Sequence, residues 1–232
     1  MILVDSRLFN TYMEHDSLMD VLKEKAQGDD EKFTLHKELM ESQAKRMLYF
    51  YMYGGFSISH RKSSILDIGG GYCSYTRELL ETSDYKLLDR MPHDDYSTFG
   101  STVKSIGKDF WIDSNWGEYT PNAEYDLIIV NALFPNIDQR LGGFLRKYLP
   151  HCRELRLCLT FYNTPRWYDV KKLDGDEVLT MLAWNGGQVR ETLQRYQQSF
   201  VIVPHWELFD SMESIFPDGR QVCIVKLLGE LA

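Results

Sequence analysis

Residues 64–79 read SILDIGGGYCSYTREL, an apolar run ending in an aspartate, three consecutive glycines, and a stretch that suits a helix. A strand that leaves through glycines lets the backbone adopt positive φ and approach a ligand closely. In open parallel sheets ligands bind beyond the carboxyl ends of the strands. Asp67, two residues before Gly69, bears on which ligand that is. Its carboxylate would repel a pyrophosphate held at Gly69, Gly70 and Gly71, and it suits a cationic group. Asp89 ends the run YKLLD eighteen residues past Gly71, about where a carboxylate is expected to hydrogen-bond ribose hydroxyls. Asp113 ends KDFWID, where it can accept from an adenine amino group with Phe110, Trp111 and Ile112 as apolar wall. Taken singly, these acids also read as a helix cap, a turn residue and a strand-end acid. Together, in register, they point to one adenosyl ligand that carries positive charge.

The elements that must position these residues follow from the hydrophobic pattern. Residues 1–60 read as helical, in SLMDVLKEKAQ and then EKFTLHKELMESQAKRMLYFYMY, where Leu35, Leu39, Met47 and Phe50 keep to one face. Seven short apolar runs follow: SSILDI, YKLLD, KDFWI, YDLIIV, LRLCLTFY, FVIVPHW and QVCIVKLL. Helix-compatible segments separate most of them, and they lack strict alternation, which implies an α/β fold with a mostly parallel sheet covered on both faces. Asp218-Gly219 is a turn signal, so the seventh strand is expected to run antiparallel, paired with the sixth. The connection from Asn163 to Gln198 holds a capping-box pattern, Asn185 with Gln188, ahead of VRETLQRY. The expected organisation is a helical lid over residues 1–60 and one compact domain over 61–232.

These motifs resemble the class I S-adenosylmethionine-dependent methyltransferases, over roughly residues 60–228. The family's first-strand pattern, acid-x-Gly-x-Gly-x-Gly, falls on Asp67, Gly69, Gly71 and Cys73, with Cys73 departing from the third glycine. Its second-strand acid falls on Asp89, followed by Arg90 and Met91 near adenine. The resemblance implies a Rossmann-like seven-stranded sheet with a reversed last strand, S-adenosyl-L-methionine as cofactor, and methyl transfer as the activity.

Methyl transfer is an in-line displacement, so the chain must mainly align the reactants and exclude water. The segment YDLIIVNALFPNID places Asn131 at a strand end, able to orient an acceptor, or to cap its own loop, and Phe134 in the loop beyond. TFYNTPRWYD adds Tyr162, Asn163, Trp167 and Tyr168 to the same rim, and Tyr12 or Tyr53 of the lid could reach the acceptor. Asn131 and Tyr162 are the candidate catalytic residues. Rings at the rim and the acids of LDGDE suit a small, amine-like acceptor, methylated on nitrogen or oxygen. With 12 Phe, 14 Tyr and 5 Trp, ordinary packing is the competing account of each ring. Of the histidines, His205 is expected at the sheet edge, while His60 and His93 flank the cofactor motifs.

Composition narrows the classes further. The 232 residues are 44% hydrophobic and 26% charged, ordinary for a globular protein. A net charge of −8 opposes a phosphate-backbone surface. NALF also lacks the Asn/Asp-Pro-Pro-aromatic motif of enzymes in the family that methylate nucleobase amines, so nucleic acid is not the expected partner. No apolar run is long enough to span a membrane, and Asp5 and Arg7 break the opening MILV, so a cytoplasmic protein is expected. The four cysteines show no C-x-x-C pair and no matching histidine spacing, so no metal site is expected. Three rivals remain in view: a short-chain oxidoreductase with Tyr168 and Lys172 as its pair, an adenosyl-binding partner without activity, and a protein or peptide methyltransferase. The oxidoreductase is opposed by Asp67 and by Pro165, which makes a poor helix there.

Overall fold

The computed structural model describes residues 1–54, 62–131, 133–171, 178–211 and 214–232. The chain opens with strand β1 (Ile2–Leu3) and helices α1 (Ser6–Met13), α2 (Ser17–Lys25), α3 (Thr34–Glu41) and α4 (Gln43–Tyr53). Then come β2 (Ser64–Ile68), α5 (Tyr75–Thr82), β3 (Asp84–Leu88), α6 (Tyr96–Ile106), β4 (Trp111–Ile112), β5 (Tyr125–Val130), α7 (Leu141–Tyr148) and β6 (Cys152–Phe161). A hairpin, β7 (Trp167–Lys171) and β8 (Val178–Leu182), precedes α8 (Gly186–Gln194), α9 (Leu208–Ser211) and β9 (Gln221–Leu228).

The main sheet runs β4-β3-β2-β5-β6-β9-β1. Its strands β2 to β6 are mutually parallel, and β9 lies antiparallel to β6 from Glu154↔Leu228 to Phe161↔Gln221. This is the Rossmann-like architecture expected, with its last strand reversed. The strand order turns back between β2 and β5, which makes their carboxyl ends the topological switch point where open α/β sheets bind ligands. β2 is apolar along its length and buried from Ile65 onward because helices cover both faces. On one face Leu39, Met47, Met52 and Tyr53 of α3 and α4 share a core with Ile65, Ile129 and Ile224. On the other, Phe144, Leu145 and Tyr148 of α7 and Val189 and Leu193 of α8 pack against Ile128, Leu157 and Val225.

Three expectations are corrected. FVIVPHW is not the sixth strand: it makes one bridge, Phe200↔Leu227, and leaves Val201, Ile202 and Val203 exposed at 70%, 77% and 55%. The outer edge of β9 is already taken by β1, through Ile2↔Ile224 and Leu3↔Cys223, and Pro204 has no N–H to give. β9 therefore pairs with β6 and β1. Second, the long N-terminal helix is two helices. Ser42 has extended dihedrals, and its hydroxyl accepts from the Lys45 amide to cap α4. Third, the connection after Asn163 carries the β7–β8 hairpin as well as the expected helix, whose Asn185–Gln188 capping box forms on both sides. Tyr168 thus sits on a strand, while Lys172, His60 and the whole of LDGDE lie outside the described residues. No described helix is long and apolar enough to cross a membrane.

Val4, 1% exposed, donates its amide to Val222 and seats β1 in the core. Val4→Asp is expected to cost at least ~2 kcal/mol by burying an unpaired carboxylate, lowering Tm by roughly 5 °C or more. Val201→Asp should change stability by less than about 0.5 kcal/mol. Thermal melts of the two variants check which segment forms the edge.

Candidate functional site

The site grows from Asp67, 1% exposed one residue before the end of β2. Its Oδ2 accepts hydrogen bonds from Tyr53 of α4 at 2.6 Å and Tyr85 of β3 at 2.7 Å. Its Oδ1 has no partner among the described residues. Burial pushes the Asp67 acid up to about 7, and the two phenols pull it back only in part. Burial likewise raises Tyr53 and Tyr85 well above the ordinary phenol, so both stay protonated donors.

The three glycines answer two different needs. Gly71 has φ +68°, and a Cβ at Gly70 would strike the Asp67 carboxylate itself. The turn therefore folds back over its own acid, in addition to presenting backbone at the switch point. Tyr49 closes it from above: its hydroxyl donates to the Gly70 carbonyl at 2.5 Å, and its ring stacks on Tyr53 with centroids 4.7 Å apart. Asn131, half-buried at the end of β5, interacts with the same hydroxyl.

Helices α2 to α4 and the turn between them are bonded to this loop at several points. Asp30, fully buried, accepts from Arg77 Nε and Nη2 at 2.7 and 2.8 Å and from the Tyr72 hydroxyl at 3.0 Å. The Ser74 amide donates to His36 Nδ1, and the Ser74 hydroxyl to Leu22 O. Cys73, in the third-glycine position, is buried, and burial pushes its thiol up to about 12, which makes it a packing group and not a nucleophile.

The second acid reaches the same turn. Asp89 Oδ2 accepts from the Gly71 amide at 3.0 Å and Oδ1 from the Met91 amide at 2.7 Å. Burial raises its acid while those two amides hold it down. Met91 has φ +50° and is buried, and Arg90 pairs with Glu118 at 2.7 Å. Asp113 is exposed beyond β4 and accepts from the Tyr96 hydroxyl at 3.0 Å.

The structure thus brings Asp67, Gly69, Gly70, Gly71, Asp89, Met91 and Asn131 to the carboxyl ends of β2, β3 and β5, with Arg90 and Asp113 further along the edge. The residues assigned to an acceptor are more scattered. Tyr12 is buried and donates to Asp16, itself bound to Arg46, inside the helical segment. Phe134 is buried against Trp116 and Phe144, with centroids at 5.6 and 4.9 Å. Tyr162 is buried under the Arg166 guanidinium, Asn163 is exposed, and Trp167 stands 66% exposed on the hairpin. His205 is exposed beside Glu207, and the carbonyl of His93 accepts from Thr34. No group of three metal-ligating side chains occurs among the described residues. Two surface cavities, of about 420 and 400 Å³, lie beside the last residues of the chain and near the amino ends of β3 and β4, away from the glycine turn.

Sequence reasoning did not single out Tyr49 or Tyr85. The signal for Tyr49 was its four-residue spacing from Tyr53, which puts both phenols on one helix face. Tyr85 reads as an ordinary strand aromatic, and only the parallel pairing of β2 with β3 brings it to Asp67.

Neither a protein-family model nor a curated protein matches the chain. Among solved structures it is similar to that of DhpI in complex with S-adenosylhomocysteine, at 14% identity, TM-score 0.48, covering 98% of this chain and 100% of that one. It is also similar to a 1,6-didemethyltoxoflavin-N1-methyltransferase of Burkholderia thailandensis, at 12% identity and TM-score 0.48 over 99% of this chain and 92% of that one. A third likeness is to the O-methyltransferase of a trans-AT PKS multienzyme of Brevibacillus brevis, at 13% identity and TM-score 0.49 over 86% and 76%. Likenesses at this level do not decide function, which rests on the strand order and the site.

An acid raised on folding contributes stability below its unfolded pKa and loses it as pH rises through the folded one. Asp67 should therefore weaken the fold as pH rises from about 4 through about 7. Asp67→Asn is expected to remove that dependence, gaining up to ~4 kcal/mol over wild type at pH 8 relative to pH 4. Urea unfolding of both proteins across this range checks it.

Proposed function

We propose that the chain is an S-adenosyl-L-methionine-dependent methyltransferase acting on a nitrogen or oxygen of a small metabolite. The observation that carries this is the buried carboxylate of Asp67, with one oxygen unpartnered among the described residues, directly beneath a glycine turn at the switch point. That arrangement opposes a pyrophosphate and suits a ligand with a cationic tail. The residues fit such a donor. Asp89 spends one lone pair of each oxygen on an amide and keeps others for ribose hydroxyls. Arg90, Met91 and Asp113 line the direction in which an adenine would lie. When bound, the cofactor supplies the electrophilic methyl group.

The chain's own part is to align and enclose. Asn131, beside the Tyr49 hydroxyl, orients the acceptor. Burial raises Tyr162, so at neutral pH it serves the acceptor as a hydrogen-bond donor and not as a base. Tyr12, Phe134, Asn163 and Trp167 remain the proposed acceptor surroundings, with Tyr12 and Phe134 acting through packing. The partner is a small molecule and not nucleic acid, and the proposed location is the cytoplasm.

Isothermal titration with S-adenosylmethionine, S-adenosylhomocysteine and NAD tests the reading. Micromolar binding of both adenosyl ligands and none of NAD is expected. Asp89→Ala should weaken that binding by about tenfold or more, the cost of losing charge-assisted hydrogen bonds. NAD binding, or no adenosyl binding by the wild-type protein, would overturn it.

A further inference from the structure

β6 ends at Phe161, opposite Gln221, the first residue of β9. Because the two strands are antiparallel, the start of β9 lies at the same end of the sheet as the glycine turn. Two arginines meet there from separate elements: Arg166, at the base of the β7–β8 hairpin, and Arg220, just before β9. Each guanidinium rests on a ring, Arg166 over Tyr162 at 4.9 Å and Arg220 over Phe216 at 4.4 Å. Asp218 links the pair. Its carbonyl accepts from Arg166 Nη1 at 2.6 Å, while its carboxylate takes the Arg220 amide at 3.1 Å and lies 3.8 Å from Arg220 Nε. The Ser214 hydroxyl fixes the same turn by bonding the Arg220 carbonyl and the Phe216 amide.

The charges at this point do not balance. Among the described residues Asp218 is the one carboxylate paired with either arginine, so two guanidiniums share one negative charge. Arg220 Nε is buried without a hydrogen-bond partner among the described residues, and Arg166 spends only Nη1, on a carbonyl. A guanidinium offers five N–H donors in a planar fork that matches an oxyanion, and stacking on a ring fixes the plane of that fork. A single excess positive charge matches a carboxylate and leaves a phosphate dianion half neutralised.

Building on the methyltransferase reading, we infer that Arg166 and Arg220 form a carboxylate-binding site that holds the acceptor by a charged end remote from its reacting atom. The position fits that division of roles. β6 continues four residues past Leu157, the partner of Val130, so the arginines stand roughly 13 Å beyond the end of β5. Asn131, at the end of β5, is left to the reacting end of the acceptor, and Asn163 and Trp167 flank the charged end. The acceptor class is thereby a small amine or alcohol that bears a carboxylate. Binding energy gathered at that carboxylate serves to position the distant nitrogen or oxygen.

The test uses three probes of one shape, benzoate, phenyl phosphate and neutral benzyl alcohol. Each is titrated at pH 6 into wild type, Arg166→Gln and Arg220→Gln, and followed by the side-chain Nε–H NMR signals of the arginines. Benzoate should shift the signals of Arg166 and Arg220 to saturation in wild type, and each variant should bind it about tenfold or more weakly, since a hydrogen bond to a charged group is lost. Benzyl alcohol should leave both signals in place. Benzoate affinity unchanged in both variants, or equal binding of benzyl alcohol, would overturn the proposal. Phenyl phosphate bound more than tenfold tighter than benzoate would overturn the carboxylate assignment. Saturating S-adenosylhomocysteine should leave benzoate bound, and displacement would mean that the arginines serve the donor. Should either variant fail to fold, as judged by its thermal melt, the wild-type comparison of benzoate with benzyl alcohol decides alone. A wild-type chain that binds benzoate here but no S-adenosylhomocysteine would keep the site and sink the methyltransferase reading, and with it the assignment to an acceptor.

Discussion

The structure of the site depends on how one carboxylate is kept in the core. A bare ionised group at 1% exposure would cost several kcal/mol, and two phenols from two different elements offset part of that cost for Asp67. Tyr85 reaches it across the β2–β3 pairing and Tyr53 from α4, so the acid fixes a strand neighbour and a helix at once. Gly70 follows from the same constraint, because any side chain there would occupy the space of the carboxylate. The glycine turn, the tyrosine pair on α4 and the aromatic on β3 are thus one unit, built outward from the acid that ends the first parallel strand.

A second buried acid gives that unit its outer wall. Asp30 holds Arg77 with both oxygens and takes a third bond from Tyr72, which ties the residues before α3 to the helix that leaves the glycine turn. With Ser74 bonded to His36 and Leu22, the turn is enclosed by segments far away in sequence. The first 54 residues are therefore neither an appendage nor a separate unit. Their apolar side chains enter the same cluster as the sheet, and their polar ones meet needs that the glycine turn cannot meet alone. Asp89 works inward in the same sense, accepting from the amides of Gly71 and Met91 and so stiffening the exits of both β2 and β3.

The parts legible in the sequence were those with local signatures: the glycine turn with its preceding acid, the apolar parallel strands, the acids that end them and the capping box at Asn185. What escaped was decided by pairing over long range. FVIVPHW has better strand composition than MILV, yet β1 takes the edge of β9 and leaves Val201 to Val203 in solvent. The β7–β8 hairpin was hidden because its exposed faces carry Trp167, Leu179 and Leu182, so it shows no alternation of apolar and polar residues. Ser42 inside an apparently continuous helix was a cap signal that the apolar periodicity masked. Of the candidate site, the cluster around the glycine turn was legible because glycines and acids announce themselves. The surroundings proposed for an acceptor were not, because rings such as Phe134 and Tyr12 read the same whether they pack a core or line a pocket.

The place of β1 bears on how the chain reaches this state. Its partners, Cys223 and Ile224, lie near the opposite end of the sequence, so the first strand of the sheet is also among the last to find its neighbour. During synthesis β1 must wait until β9 has emerged and inserted beside β6. Until then both long flanks of β9's position, and the apolar side chain of Val4, stay uncovered. The sheet thus closes only when nearly the whole chain is available. The interval before closure is the period in which its unpaired edge is open to other chains.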